Sequence, residues 1–170
     1  ATRRKGGGSS GLAYEILALD VTSDESVTSA VGEVIRREER IDLLVNNAGI
    51  NLSVGGAEES SIEQAKALFD TNFFGMVRMT RAVIPHMRQQ GVGRIVNIGS
   101  VTGFMPMPFM ALYSATKHAL AAYSDALDHE LRDVGIRISV IEPAFMKTSI
   151  DANSQASDAP MTEYHEVRRA

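Results

Sequence analysis

The hydrophobic positions along this chain change their period several times. Residues 14–21, YEILALDV, alternate and then end in Asp20, which predicts a short strand. TSDESVTSAVGEVIRREER follows a helical period. Ser23 or Asp24 is placed to cap it, and Val27, Ala30, Val31 and Val34 fall on one side. IDLLVNNAG is an unbroken apolar run stopped by Asn46-Asn47 and Gly49, the pattern of a buried strand. Residues 50–60 read as loop, with Gly55-Gly56. From Ser61 to Gly91 one long helical pattern runs, apolar at Ala67, Leu68, Phe73, Met76, Val77 and Met79. GRIVNIGS predicts a second buried strand over 94–99. The helix after Tyr113 carries Leu120, Tyr123, Leu127 and Leu131. GIRISVIEPAF closes the series as a third buried strand ending at Pro143.

Strands alternating with helices in this way predict an α/β fold: a parallel sheet with right-handed crossovers and helices on both faces. Ligands in such folds bind beyond the carboxyl ends of the strands. The polar and small residues gather there: Asp20, Asn46 to Gly49, Ser100, and Pro143 onward.

Composition narrows the function. With 170 residues, 44% hydrophobic and 22% charged, the chain has ordinary globular content and enough material for one core. A net charge of −4 leaves no basic footprint, so nucleic acid is not an expected partner. There is no cysteine, hence no disulfide framework and no thiolate nucleophile, and the four histidines show no metal-ligand spacing. No run approaches the ~18 apolar residues of a membrane span, and no signal-peptide pattern is visible. A cytoplasmic location is the expectation.

The stretch ALYSATKH, residues 111–118, carries the candidate chemistry. On a helix Tyr113 and Lys117 stand at i and i+4 and share a face. A free tyrosine titrates near 10, too high for proton transfer at neutral pH, and a neighbouring cation draws that value down. The pair reads as a tuned proton donor. Taken alone, Tyr113 reads more often as a partly buried core tyrosine. Ser100 reads also as a simple cap, Asn72 as a solvent-facing residue and Asp20 as a turn residue. His118 faces elsewhere on the helix and reads as structural or surface, and REER as a solvated helix end. GFMPMPFM is either packing or a substrate lining.

The segments LDVTS (19–23), NNAG (46–49), TNFFG (71–75), NIGS (97–100), YSATK (113–117) and PAFMKT (143–148) occur together and in this order. In them the chain resembles the short-chain dehydrogenases/reductases over about residues 1–150. The resemblance implies a doubly wound, Rossmann-like three-layer sandwich in one domain. It also implies an oxidoreductase moving hydride between NAD or NADP and a carbonyl or secondary alcohol. Residue by residue, it implies Tyr113 as acid–base and Lys117 as the lysine that tunes it and binds the nicotinamide ribose. Ser100 would bond the substrate carbonyl. Asn72 would bend the long helix and hold a water in a proton relay. Asp20 and Val21 would meet the adenine, Asn47, Ala48 and Gly49 the adenosine ribose, and Pro143 and Met146 the carboxamide end of the nicotinamide. It further implies a homodimer or homotetramer built on helices 61–90 and 113–133. Methionines and phenylalanines around GFMPMPFMAL and EPAFM suit an apolar substrate.

Cofactor choice rests on the second strand's end. NAD enzymes of this topology place an acid there for the ribose 2′-hydroxyl. Ala1-Thr2-Arg3-Arg4 has no acid, and Arg3 suits a 2′-phosphate, so NADP is expected ahead of NAD. Two departures qualify the resemblance. The family's opening strand and glycine-rich pyrophosphate turn have no counterpart, since KGGGSSG lies after the expected second strand. Residues 151–170 read as the start of a mobile substrate lid, without the family's later elements. The expectation is therefore a truncated domain with an exposed sheet edge. A non-catalytic dinucleotide sensor and an inactive fragment stand as the alternative functions.

Overall fold

The computed structural model describes residues 2–3, 15–52, 54–144, 146 and 154–166, with the side chains of 2–3 left out. Strands β1 (Thr2–Arg3) and β2 (Leu17–Ala18) pair in parallel. Helix α1 (Asp24–Glu38) follows, then β3 (Leu43–Asn46), α2 (Ile62–Phe69), a π-helical turn (Asp70–Phe74) and α3 (Gly75–Gln90). Strand β4 (Gly93–Ile98), helix α4 (Ala111–Leu131) and β5 (Ile136–Ile141) complete the order. Strands β3, β4 and β5 form a second parallel sheet in that sequence, with Leu44, Ile95 and Ile138 in register. The α/β architecture with parallel strands is the predicted one. Of the alternating stretch 14–21, Leu17–Ala18 is the part that pairs among the described residues.

Local chemistry sets the helix ends. Ser23 caps α1, its hydroxyl accepting the Ser26 N–H at 3.2 Å, with Asp24 and Glu25 in the first turn and Arg36 and Arg37 in the last. Ser61 caps α2 in the same way, accepting the Gln64 N–H at 3.1 Å. Gly135 turns the chain into β5 at φ 79°, and a Cβ there would stand 2.1 Å from the Gly91 carbonyl oxygen, so no other residue fits. Asp128 braces the far end of α4 against β5. Its carboxylate accepts Arg137 Nε at 2.9 Å and the Ile138 N–H at 2.8 Å, and these bonds hold its pKa far below the usual carboxylate range.

The core lies on one face of the larger sheet. Ile95, Ile136 and Ile138 pack there with Val83 and Met87 of α3, Leu131 of α4 and Val27 and Val31 of α1. The opposite face carries Leu43 and Val45, 55% and 50% exposed. The unbroken apolar run of β3 predicted burial on both sides. Among the described residues, helices cover only one, and the second helical layer expected of a doubly wound sheet is not there to cover the other.

Candidate functional site

The loops beyond β3, β4 and β5 stand at the carboxyl ends of neighbouring parallel strands, where such sheets bind ligands. Those after β4 and β5 are tied together by main-chain bonds. The Gly99 N–H donates to Ile141 O at 2.8 Å and the Val101 N–H to Pro143 O at 3.0 Å. Ser100 sits between them in extended conformation and caps the short turn Val101–Gly103. Its oxygen accepts the Thr102 N–H at 3.2 Å and the Thr102 hydroxyl at 3.0 Å. Ser100 is thus a cap, but both of those bonds use its lone pairs. Its own proton can still be donated to a bound oxygen.

Helix α4 delivers the pair read from the sequence. Tyr113 lies in its first turn, and Lys117 Nζ stands 5.6 Å from the centre of the Tyr113 ring. Lys117 is buried, and Nζ donates to Ile98 O, at the end of β4, at 2.9 Å. Burial lowers its pKa from 10.5 to about 8. The approach of α4 to the Ser100 turn depends on Gly103, where a Cβ would lie 3.2 Å from the Lys117 carbonyl oxygen.

Asn72 is neither solvent-facing nor idle. It is 1% exposed and lies within the π-helical turn that interrupts the predicted single helix. Such turns recur at functional sites. Its Oδ1 accepts the Ile50 N–H at 2.8 Å, and its Nδ2 donates to Ile50 O at 2.9 Å and to Thr116 Oγ1 at 3.2 Å. Both amide protons are spent on this clamp. Thr116 in turn donates to Tyr113 O at 2.8 Å, so the chain after β3 is linked through Asn72 to the turn carrying Tyr113.

The remaining predicted residues are placed as follows. Asn47, Ala48 and Gly49 are exposed beyond β3, and a Cβ at Gly49 would come within 3.5 Å of Asn72 Oδ1. Asp20 shapes a turn, accepting the Thr22 N–H at 3.0 Å and the Thr22 hydroxyl at 2.8 Å. Val21 is buried against Gly75, where a Cβ would meet its side chain at 2.7 Å. Arg78 ties that turn to the π-helical segment, donating to Val21 O at 3.3 Å and to Asp70 Oδ1 at 2.7 Å. Pro143 is half-buried and Met146 is 62% exposed. Arg3 ends β1, and its side chain lies outside the described residues, as do residues 5–11, KGGGSSG.

Sequence reading missed a buried polar ladder. Asn46 Nδ2 donates to Asn97 Oδ1 at 2.9 Å, and Asn97 Nδ2 donates to Ser124 Oγ at 2.8 Å, joining β3, β4 and α4. Asn97 is 1% exposed. Asparagine inside an apolar strand is the signal that could have exposed it, because a buried amide requires partners. Thr116 and Glu59 were missed too; neither breaks a pattern in the sequence. His118 is structural as read, its Nδ1 2.9 Å from Ser114 O.

A parallel α/β sheet with polar loops and a buried lysine gathered at its strand ends defines a ligand-binding α/β protein. The family profile described as short chain dehydrogenase matches residues 5–159, and the chain belongs to that family. It is 39% identical over 144 residues to a 3-ketodihydrosphingosine reductase of Bacteroides thetaiotaomicron, covering 84% of this chain and 53% of that protein. Among solved structures it is similar to ElxO with NADP bound, at TM-score 0.78 and 34% identity, covering 81% of this chain and 56% of that one. It is likewise similar to a 3-ketoacyl-(acyl-carrier-protein) reductase from Brucella melitensis complexed with NADH. That match has TM-score 0.79 and 30% identity, covering 82% and 59%. The chain spans about half the length of the curated relatives it matches.

Proposed function

We propose that the protein to which this chain belongs is an NADP(H)-dependent oxidoreductase that interconverts a carbonyl and a secondary alcohol. The observation that carries the reading is Lys117. A buried ammonium lies against the Tyr113 ring and is fixed to the end of β4, two residues before Ser100. Burying a charge lowers stability unless it is fully paired, so a buried lysine whose pKa is lowered at a strand end marks a candidate functional site.

The donor set suits a dinucleotide: a lysine for the nicotinamide ribose hydroxyls, the exposed residues Asn47, Ala48 and Gly49 for the adenosine ribose, and Pro143 and Met146 beyond β5 for the nicotinamide end. When bound, that cofactor supplies or accepts the hydride. The chain's own residues handle the oxygen and its proton. Ser100 and Tyr113 donate hydrogen bonds to the charge that develops on the carbonyl oxygen, and Tyr113 transfers its proton there. Lys117 stabilises the phenolate left behind. Asn72 holds the Tyr113 turn in place through Thr116. Alcohol oxidation runs the same steps in reverse.

The substrate is proposed to be apolar. Phe104, Met105 and Met146 are 63%, 55% and 62% exposed in the loops beyond β4 and β5, and soft side chains there suit a long-chain or polycyclic carbonyl. The named substrate of the Bacteroides relative supports this class. NADP is preferred because no acid follows β1, where Arg3 stands. Steady-state rates of the full-length protein over a carbonyl panel test both points. NADPH should exceed NADH by at least about 10-fold in kcat/KM, with an apolar ketone as best substrate. Equal or NADH-favouring efficiency contradicts the cofactor choice, and a small polyol or sugar as best substrate contradicts the apolar cleft.

Assembly is proposed through the outer side of α2 and the π-helical turn. Ile62 and Phe74 are 66% and 48% exposed there and border an apolar hollow with Ala65 and Phe69. A second copy covers this face in a two-fold homodimer or homotetramer. Light scattering of the full-length protein at micromolar concentration should show the oligomer; a monomer contradicts the proposal.

A further inference from the structure

The stretch 154–166 is fastened along its length to the segment between β3 and α2. The Gln155 N–H donates to Asn51 O at 3.1 Å and the Ala159 N–H to Glu59 O at 2.9 Å. Gln64 Nε2 donates to Ala156 O at 2.8 Å, and the Ser61 N–H donates to the Asp158 carboxylate at 2.7 Å. The Tyr164 hydroxyl donates to Glu58 at 2.7 Å. At the centre stands Glu59, 0% exposed. A buried carboxylate persists only when its oxygens are satisfied. Here Oε2 accepts the Gly56 N–H at 2.6 Å and Oε1 accepts the Met161 N–H at 2.7 Å. The carboxylate thus accepts from both segments.

The same unit reaches Tyr113. The Gly55 N–H donates to Phe109 O at 3.2 Å. Phe109 holds φ 63°, a left-handed conformation uncommon for a bulky residue, and such strain persists only where the surroundings enforce it. Its ring meets Tyr164 edge-on, with centroids 6.3 Å apart. A Cβ at Gly56 would stand 2.5 Å from the Tyr164 ring, and one at Gly55 would stand 2.9 Å from Glu59 Oε2. Gly55, Gly56, Phe109, Leu112, Tyr113 and Ser157 line one cleft. Part of the wall facing Tyr113 is therefore built from the C-terminal stretch, and Glu59 joins that wall to the loop opposite.

We propose that Glu59 is a positioning residue that holds the substrate-side wall of the Tyr113 cleft, and so sets the affinity for the carbonyl substrate rather than for the cofactor. The proposal rests on the oxidoreductase reading above. Glu59 touches no reacting atom; it acts through Gly56, Met161 and the strained turn at Phe109.

Glu59→Gln in the full-length protein keeps the shape but turns an amino group toward one of the two N–H donors. Loss of one such buried bond should raise the carbonyl KM by about 10-fold or more. By the same reasoning, kcat and the cofactor Kd should stay within about 3-fold. A disulfide across Ser61→Cys and Asp158→Cys, whose native side chains meet at 2.5 Å, is the rescue test of the wall in the Glu59→Gln protein. Oxidation should return KM toward the native value and reduction should undo it. Unchanged KM, or loss spread equally over kcat, KM and cofactor binding, overturns the proposal, as does a disulfide that restores stability without restoring KM. The native protein provides a second reading that needs no variant: the Ala159 and Met161 amides should exchange more slowly on binding an apolar carbonyl, and equal exchange overturns it. If the native protein turns over no carbonyl, the oxidoreductase reading fails. The wall is then judged by Ala159 and Met161 exchange in Glu59→Gln against native, where unchanged exchange sinks it independently.

Discussion

Tyr113→Phe is expected to lower kcat of the full-length protein by at least about 10², the lower range for loss of a general acid, or roughly 3 kcal/mol of barrier. The substitution deletes one oxygen and little else. The ring still faces Lys117, and the bond from Thr116 to Tyr113 O is made by the main chain and survives. Cofactor affinity should therefore change little, and that separation of turnover from cofactor binding is what the proton-donor reading requires. A variant keeping more than about half the native kcat would show that the hydroxyl does not transfer the proton.

Lys117→Met should abolish activity and stabilise the protein at the same time. Burial lowers the lysine's pKa from 10.5 to about 8, which means the folded state disfavours its charge. The sign follows from proton counts. Below pH 8 both states hold the proton and the burial penalty is fully present, on the order of 3 kcal/mol for a difference of this size. Between about 8 and 10.5 the unfolded chain binds more protons than the folded one, so native stability rises with pH across that window. Methionine escapes the penalty but loses the bond to Ile98 O, worth about 1 kcal/mol, leaving a net gain of about 2 kcal/mol at pH 7. The gain should fade as pH approaches 10.5. Denaturant melts of both proteins at pH 7 and at pH 10, without cofactor, read this directly. A variant less stable than native at pH 7 contradicts it. Catalysis carries the opposite sign: native kcat/KM for carbonyl reduction should fall as pH rises through about 8, as Lys117 loses the charge that steadies the phenolate.

Sequence pattern revealed what is local. Ser23, one of the two caps its pattern offered, caps α1, and the parallel strands match their apolar runs. Tyr113 and Lys117 were legible because helical spacing alone puts them on one face. Asn72 was legible only through the family resemblance, since nothing in its neighbours announces a π-helical turn or a clamp on Ile50. What escaped depends on contacts distant in the chain. Asn46 and Asn97 are 51 residues apart, and Glu59 and Met161 are 102 apart. Periodicity reports which face a residue presents, not which distant backbone amide awaits it. Exposure of Leu43 and Val45 escaped for a related reason: an apolar strand is the same string whether one face or both are covered.

The central claim is that these residues pass a proton to an oxygen as hydride reaches its carbon. The most direct measurement follows the label. The full-length protein is supplied with NADPH deuterated at the transferred position and an apolar ketone, and the product alcohol is weighed by mass spectrometry. The account predicts one deuterium on the carbinol carbon of the native protein's product, and at least about 10²-fold less labelled product per unit time from Tyr113→Phe. A native protein that binds the reduced cofactor yet forms no labelled alcohol from any ketone in the panel would contradict it.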